Sequence, residues 1–154
     1  MRAWLITGIL AIAGCGGGHD DGDSDHGPHL APPGTTGVAV GEHVAHLAVA
    51  LDAASGTLTI RVYDGHFEHP VRLAQAAIEV AVTPAGGAAA IEVACPAVAD
   101  RLSGETVGDT ASFRGQADAL KGLAAFDAVV RRLEIRGQVV TDLAFPYPAG
   151  TKLH

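Results

Sequence analysis

Two runs of strict alternation face each other across a four-residue break. "EHVAHLAVALD" sets Ala45, Leu47, Val49 and Leu51 against Val44, His46, Ala48 and Ala50. "TLTIRVYD" sets Leu58, Ile60 and Val62 against Thr57, Thr59, Arg61 and Tyr63. A period of two is that of a strand with one face buried. The intervening "AASG" offers a compact turn, with Gly56 free to take a positive φ. The pair therefore predicts a β-hairpin. Its register is restricted, because a one-residue slip turns every apolar side chain to the wrong face. Paired numbers must add to an odd value, and 107, 109 and 111 all satisfy this. A turn at Ala54-Ser55 gives 109, and one at Ser55-Gly56 gives 111.

The same pattern recurs downstream. "AIEVAVT" and "AAIEVA" flank "PAGG" at 84–87, a second hairpin. "DAVVRRLEI", an Arg136-Gly137 turn and "QVVTDLAF" form a closing one. The stretch from Cys95 to Gly115 is rich in Gly, Asp, Ser and Thr and reads as a long connection holding one short strand. "GQADALKGLAAF" carries Leu120 and Leu123 at helical spacing and suggests one short helix. A helix over 117–135 is the rival reading, weakened by Gly122 and by the β-branched pair Val129 and Val130. Six to eight short, regularly spaced strands predict an all-β fold, an antiparallel β-sandwich of immunoglobulin-like or similar type.

A chain of 154 residues has room for one domain. Hydrophobic residues make up 48% but aromatics only 5%, so Val, Leu, Ile and Ala must build the core. The net charge of −7 and the scattered arginines leave no basic track for a phosphate backbone, which argues against a nucleic-acid partner. No phosphate-binding loop, dinucleotide fingerprint or nucleophile elbow occurs. Ser55, Ser103 and Ser112 lie in turn-like contexts, and Asp64 with Glu68 is no more than any acidic chain contains. The expectation is a protein that is not an enzyme. Cys95, in "VACPAV", reads as a small buried hydrophobe.

The first residues follow a different logic. "MRAWLITGILAIAGC" has one cation, Arg2, then an apolar run over 3–13, then small residues, the layout of an export signal. The run is shorter than the roughly 20 residues a membrane-spanning helix needs. The junction Ile12-Ala13-Gly14-Cys15 resembles the lipobox of bacterial lipoproteins. That resemblance implies cleavage after residue 14 and acylation of Cys15, palmitate being one such acyl group. Several acyl chains would anchor the chain stably in a membrane. Gly16 stands where that family carries an inner-membrane retention Asp, which favours an outer membrane, facing the periplasm or the exterior. The resulting division is 1–14 signal peptide, 15–37 acylated Cys15 and tether, and 38–154 the sandwich domain. Residues 16–37 contain seven Gly, three Pro, four Asp and three His with almost nothing to bury, a composition that predicts a flexible tether.

Histidine is the remaining signal. There are eight in the chain, seven of them between His19 and His69. In the tether, His26 and His29 lie among Asp20, Asp21, Asp23 and Asp25, a loose tract for Zn²⁺, Cu²⁺ or Ni²⁺ or else a solvated spacer. It is not an EF-hand, since His26 and Pro32 occupy the places of that loop's Gly and Glu. In or beside the first hairpin lie His43, His46, His66 and His69. His43 and His46 are three apart, so they point to opposite faces of a regular strand. Register 109 sets His43 opposite His66, while 111 sets His43 opposite Glu68 and His46 opposite Gly65. Either places a histidine beside another ligand at the open end of the hairpin, at roughly 5 Å between Cβ atoms. "DGHFEHP" suggests a turn that keeps His69 near. The stretch "HLAVALDAASGTLTIRVYDGH" is similar to segments of His-containing envelope proteins of uncharacterised or metal-handling function. The expectation is a lipid-anchored envelope protein that binds or sequesters a transition metal through these histidines. The alternative is a structural or interaction module that docks another envelope protein without metal.

Overall fold

The computed structural model describes residues 30–42 and 44–149. Residues 1–14, where a signal peptide is expected, and Cys15, His26, His29 and His43 lie outside them. Eight strands follow in order: β1 Thr36–Val40, β2 Ala45–Asp52, β3 Thr57–Tyr63, β4 Ala77–Pro84, β5 Ile91–Pro96, β6 Ser112–Gln116, β7 Phe126–Ile135 and β8 Gln138–Tyr147. They form two antiparallel four-stranded sheets, ordered β1-β2-β3-β6 and β5-β4-β7-β8. The alternation explains the layering. Leu47, Val49, Leu58, Ile60 and Val62 are fully buried, as are Ile78, Val80 and Val82 from the facing sheet. The β-sandwich is thus stabilised by apolar burial from both inner faces, with Phe113 and Phe126 the largest fully buried side chains.

The three hairpins stand where the alternation puts them. In the first, His46 pairs with Tyr63, Leu47 with Val62 and Leu51 with Leu58, so the register sums to 109. Gly56 takes φ +71 in its turn, against the Ala117 carbonyl, where no Cβ would fit. The segment with Leu120 and Leu123 forms only a single 3₁₀ turn, Asp118–Leu120, which buries Leu120. Gly122, at φ +75, ends it, and the residues of the rival helix become β7. β1 is the strand that alternation alone did not single out, and it takes in Thr36 and Gly37.

The two sheets meet along one side. A bridge joins Ala97 to Phe113, and the Val98 amide donates to the Ser112 carbonyl at 2.9 Å. Gly115 permits this approach, because a Cβ there would collide with the Ala94 carbonyl oxygen and lie 2.9 Å from Cys95 Sγ. The opposite side is joined more thinly, by the Ala149 amide donating to Thr36 Oγ1 at 3.2 Å. Near it, Tyr147 stacks on Phe126 at 4.6 Å and receives the Leu51 amide on its hydroxyl at 3.1 Å.

Antiparallel pairing sends the connections β1–β2, β3–β4, β5–β6 and β7–β8 to the same end of the sandwich. That end carries the histidine-bearing loop. Among the described residues, no helix is long and apolar enough to cross a membrane.

Candidate metal centre

β3 stops at Tyr63 because Asp64 reverses the chain. The Asp64 amide donates to the His69 carbonyl at 2.9 Å, and the Phe67 amide to the Asp64 carbonyl at 3.3 Å. Pro70 then bridges back to Tyr63. Inside this six-residue loop the Asp64 carboxylate acts as its hub. Oδ1 accepts the amides of His66 at 3.1 Å and Glu68 at 2.9 Å. Oδ2 lies 3.2 Å from Nδ1 of His69. An Asp accepting from the amides that follow it is the ordinary way such a side chain makes a turn.

The electrostatics follow from those bonds. Partial burial pushes the Asp64 carboxyl up, but the amides of Glu68 and His66 and the His69 ring outweigh it and hold its pKa at about 2. Asp64 is therefore ionised at any physiological pH. Its side chain is only 16% exposed, whereas that of His69 is 80% exposed. The loop presents a fixed anion beneath an open imidazole.

One ligand atom each from Asp64, Glu68 and His69 lies within 4.8 Å of the others. Nδ1 of His69 and Oδ2 of Asp64, 3.2 Å apart, lie close to the spacing that one tetrahedral ion gives two of its ligands. With bonds of about 2.1 Å, the edge of that tetrahedron is ~3.4 Å. A divalent ion can thus replace the proton these two atoms share, with Glu68 as a third donor.

His46 reaches the same loop from the outer face of β2. Its Nδ1 lies 3.3 Å from the Asp64 carbonyl oxygen. A carbonyl only accepts, so the neutral ring carries its proton on Nδ1 and keeps the lone pair on Nε2. The ring also packs on Phe67 at 4.4 Å between centroids. Phe67 has φ +59, a left-handed conformation that costs a bulky residue of order 1–3 kcal/mol. The Asp64 bonds to the residues on either side of it hold it there.

His66 and His69 are therefore loop residues, outside the strands. The ladder of β2 with β3 ends at His46 and Tyr63. His46 and His69 both contact Asp64, by its carbonyl and its carboxylate respectively. The acids that complete the cluster, Asp64 and Glu68, were noted in the sequence as a pair but set aside, because paired carboxylates occur in any acidic chain. The Asp64-Gly65 pair beside "HFEH" is the signal that marks them, an Asx turn crowded with ligands.

Cys95 is fully buried and its thiol is pushed up to about 12 by desolvation and the nearby Glu79 charge, so it takes no part in such chemistry. Comparison with family models, with curated proteins and with solved structures returned no match.

Proposed function

We propose that this chain is a lipid-anchored cell-envelope protein whose β-sandwich binds a divalent transition metal at the 64–69 loop. The observation that carries this reading is the Asp64–Glu68–His69 cluster, with two donors close to the edge length of a coordination tetrahedron. Asp64 supplies permanent negative charge and Glu68 a second carboxylate. His69 supplies the nitrogen that favours Zn²⁺, Cu²⁺ or Ni²⁺ over harder ions. The Asp64 carbonyl fixes the His46 tautomer, and His66 stands within the same turn. Nothing in the arrangement resembles a nucleophile with its base, so the role proposed is binding rather than catalysis. The anchor rests on the lipobox-like Ile12-Ala13-Gly14-Cys15, and the outer membrane follows from Gly16.

Zn²⁺ titration of the purified full chain in detergent micelles tests the metal, with Glu68→Ala and His69→Ala alongside. One ion per chain in the parent, weakened at least tenfold by either substitution, is the expected result. Binding should also weaken in acid, as protons compete for imidazole. Absence of stoichiometric binding would refute the reading. Fractionation of Cys15→Ser tests the anchor independently, because loss of the acyl chains should release the chain from membranes.

A second reading, a docking module without metal, draws on Leu102, which is 99% exposed in the β5–β6 connection at the same end. A full-length chain that binds no ion but is captured by one envelope protein through Leu102 would favour it.

A further inference from the structure

After the histidine-bearing loop, the chain runs on through 70–76 and meets the β7–β8 turn across a cleft of about 290 Å³. Both walls are fixed. Leu73 pairs with Thr110, its amide donating at 2.8 Å, and the Arg72 guanidinium reaches the Ser103 carbonyl at 2.6 Å and the Asp109 carboxylate at 3.0 Å. Gln75 ties the same segment to β7, accepting the Glu134 amide on Oε1 at 2.6 Å and donating from Nε2 to the Arg132 carbonyl at 3.3 Å. The opposing wall is the two-residue turn Arg136-Gly137, closed by the Ile135–Gln138 pair. Its φ values of +50 and +76 are those of a primed hairpin turn, whose first position ordinarily goes to Asn, Asp or Gly. Arg136 takes that position at a steric cost, the kind of exception that ligand sites carry. The cleft is thus preformed, as small-molecule sites usually are.

The charges that line the cleft do not cancel. Arg72 is matched by Asp109, and Glu134 by Arg132, whose Nη2 lies 2.7 Å from Oε1. Among the described residues Arg136 has no such partner, so the cleft carries one unmatched cation in a chain whose net charge is −7. Its remaining surface is mixed. Val139 is 52% exposed and Ala74 is exposed beside it, while Gln138 offers an amide. A cation next to bare aliphatic surface suits a ligand with one anionic and one apolar end. We propose that this cleft binds a small organic monocarboxylate, a single ring or short alkyl chain bearing one carboxylate. Arg136 holds the carboxylate, and Val139 and Ala74 cover the apolar part. Arginine presents its donors in a planar fork that matches both oxygens of a carboxylate. A second carboxylate would meet Glu134, which limits the ligand to one. At ~30 Å³ for each water, the cleft has room for roughly ten, so a ligand of about that many non-hydrogen atoms fills it. The site shares no residue with the metal centre and stands or falls apart from it.

Benzoate tests this, titrated into the isotope-labelled full chain in neutral detergent micelles at pH 7, with a chelator present and amide shifts as the readout. Shifts in residues 72–75 and 136–139 should saturate together. Half-saturation is expected at or below about 10 mM, which the ordinary efficiency of small ligands allows for nine non-hydrogen atoms. Benzylamine, the same ring with a positive end, and acetate, the same anion without the ring, should each bind about fivefold more weakly or worse. Arg136→Gln should weaken benzoate about fivefold or more, and Arg136→Lys, which keeps the charge but loses the fork, should fall between. Arg136 is exposed in a turn, so both variants should fold, and spectra that match the parent away from the cleft check this. Should the Gln variant not fold, the benzylamine comparison on the parent decides alone. Shifts that never saturate, shifts centred on other residues, or benzylamine binding as tightly as benzoate would each overturn the proposal. So would a folded Arg136→Gln with the parent's affinity. Acetate binding as well as benzoate would leave a site for any anion and overturn the ligand class.

Discussion

Replacing Asp64 by Ala removes the acceptor for two amides and one imidazole in a single step, and the consequence depends on pH in a defined way. In the metal-free protein the folded carboxyl titrates near 2 instead of its ordinary 3.8. A group depressed in this way stabilises the fold above its unfolded pKa, and that stabilisation is lost as pH falls from about 4 to 2. The depression sets a ceiling of ~2.5 kcal/mol. The three bonds are at or near the surface, which lowers the expectation to about 1–2 kcal/mol. For a domain of this size such a loss lowers the unfolding midpoint by roughly 6 °C. Denaturant unfolding of parent and Asp64→Ala in the presence of a chelator, at pH 7, 4 and 2, measures the difference directly. It should be near its full value at pH 7 and mostly lost at pH 2, where about half of the parent carboxyl is protonated. The other depressed acids, Asp52, Asp100 and Asp118, are common to both proteins and cancel. A difference that stays constant down to pH 2, or one below ~0.5 kcal/mol at pH 7, would show that Asp64 does not organise the loop electrostatically.

Gly115→Ala should destabilise the domain by about 2–4 kcal/mol, because the new methyl meets the Ala94 carbonyl and Cys95 Sγ; an unchanged denaturation midpoint would contradict the close seam. The Cys95 thiol should resist alkylation at pH 8 until the protein unfolds, given its full burial and its pKa near 12, and rapid labelling of native protein would contradict this. Arg72→Ala removes the hold on the Asp109 carboxylate at 3.0 Å and the Ser103 carbonyl at 2.6 Å. It should speed amide exchange in residues 100–109 while costing less than about 1 kcal/mol globally.

Alternation carried most of the fold, because a strand between two sheets needs one apolar face and the code for that is local. Leu47, Val49, Leu58, Ile60 and Val62 alone define a hairpin and restrict its register. β1 was harder to see, since Val38 and Val40 offer only two apolar positions next to a Gly- and Pro-rich segment. The helix-like spacing of Leu120 and Leu123 was misleading, because a single 3₁₀ turn places residues three apart on one side as well. The candidate site was legible only in part. His69 and His46 were visible as residue types, but their approach depends on Asp64 leaving the strand, and a turn closed by one side chain has no period. The pairing of His43 with His66 would need the ladder to continue past Tyr63; the described pairing runs to His46 and Tyr63, and position 43 lies outside the described residues.

The seam at Gly115 also matters for neighbouring molecules. A sandwich of two separate sheets offers four strand edges, and each unpaired edge is a template on which another copy can pair. Proteins confined to a membrane surface, as proposed here, meet their own copies far more often than proteins in free solution. Joining β5 to β6 removes two of the four edges from that hazard. Of the two that remain, β1 is five residues long and carries Ala31 over its outer face. β8 is bent at Asp142, with φ +51, and lacks an amide hydrogen at Pro146. An anchored chain of the kind proposed would therefore present short, interrupted edges to its neighbours rather than a continuous strand.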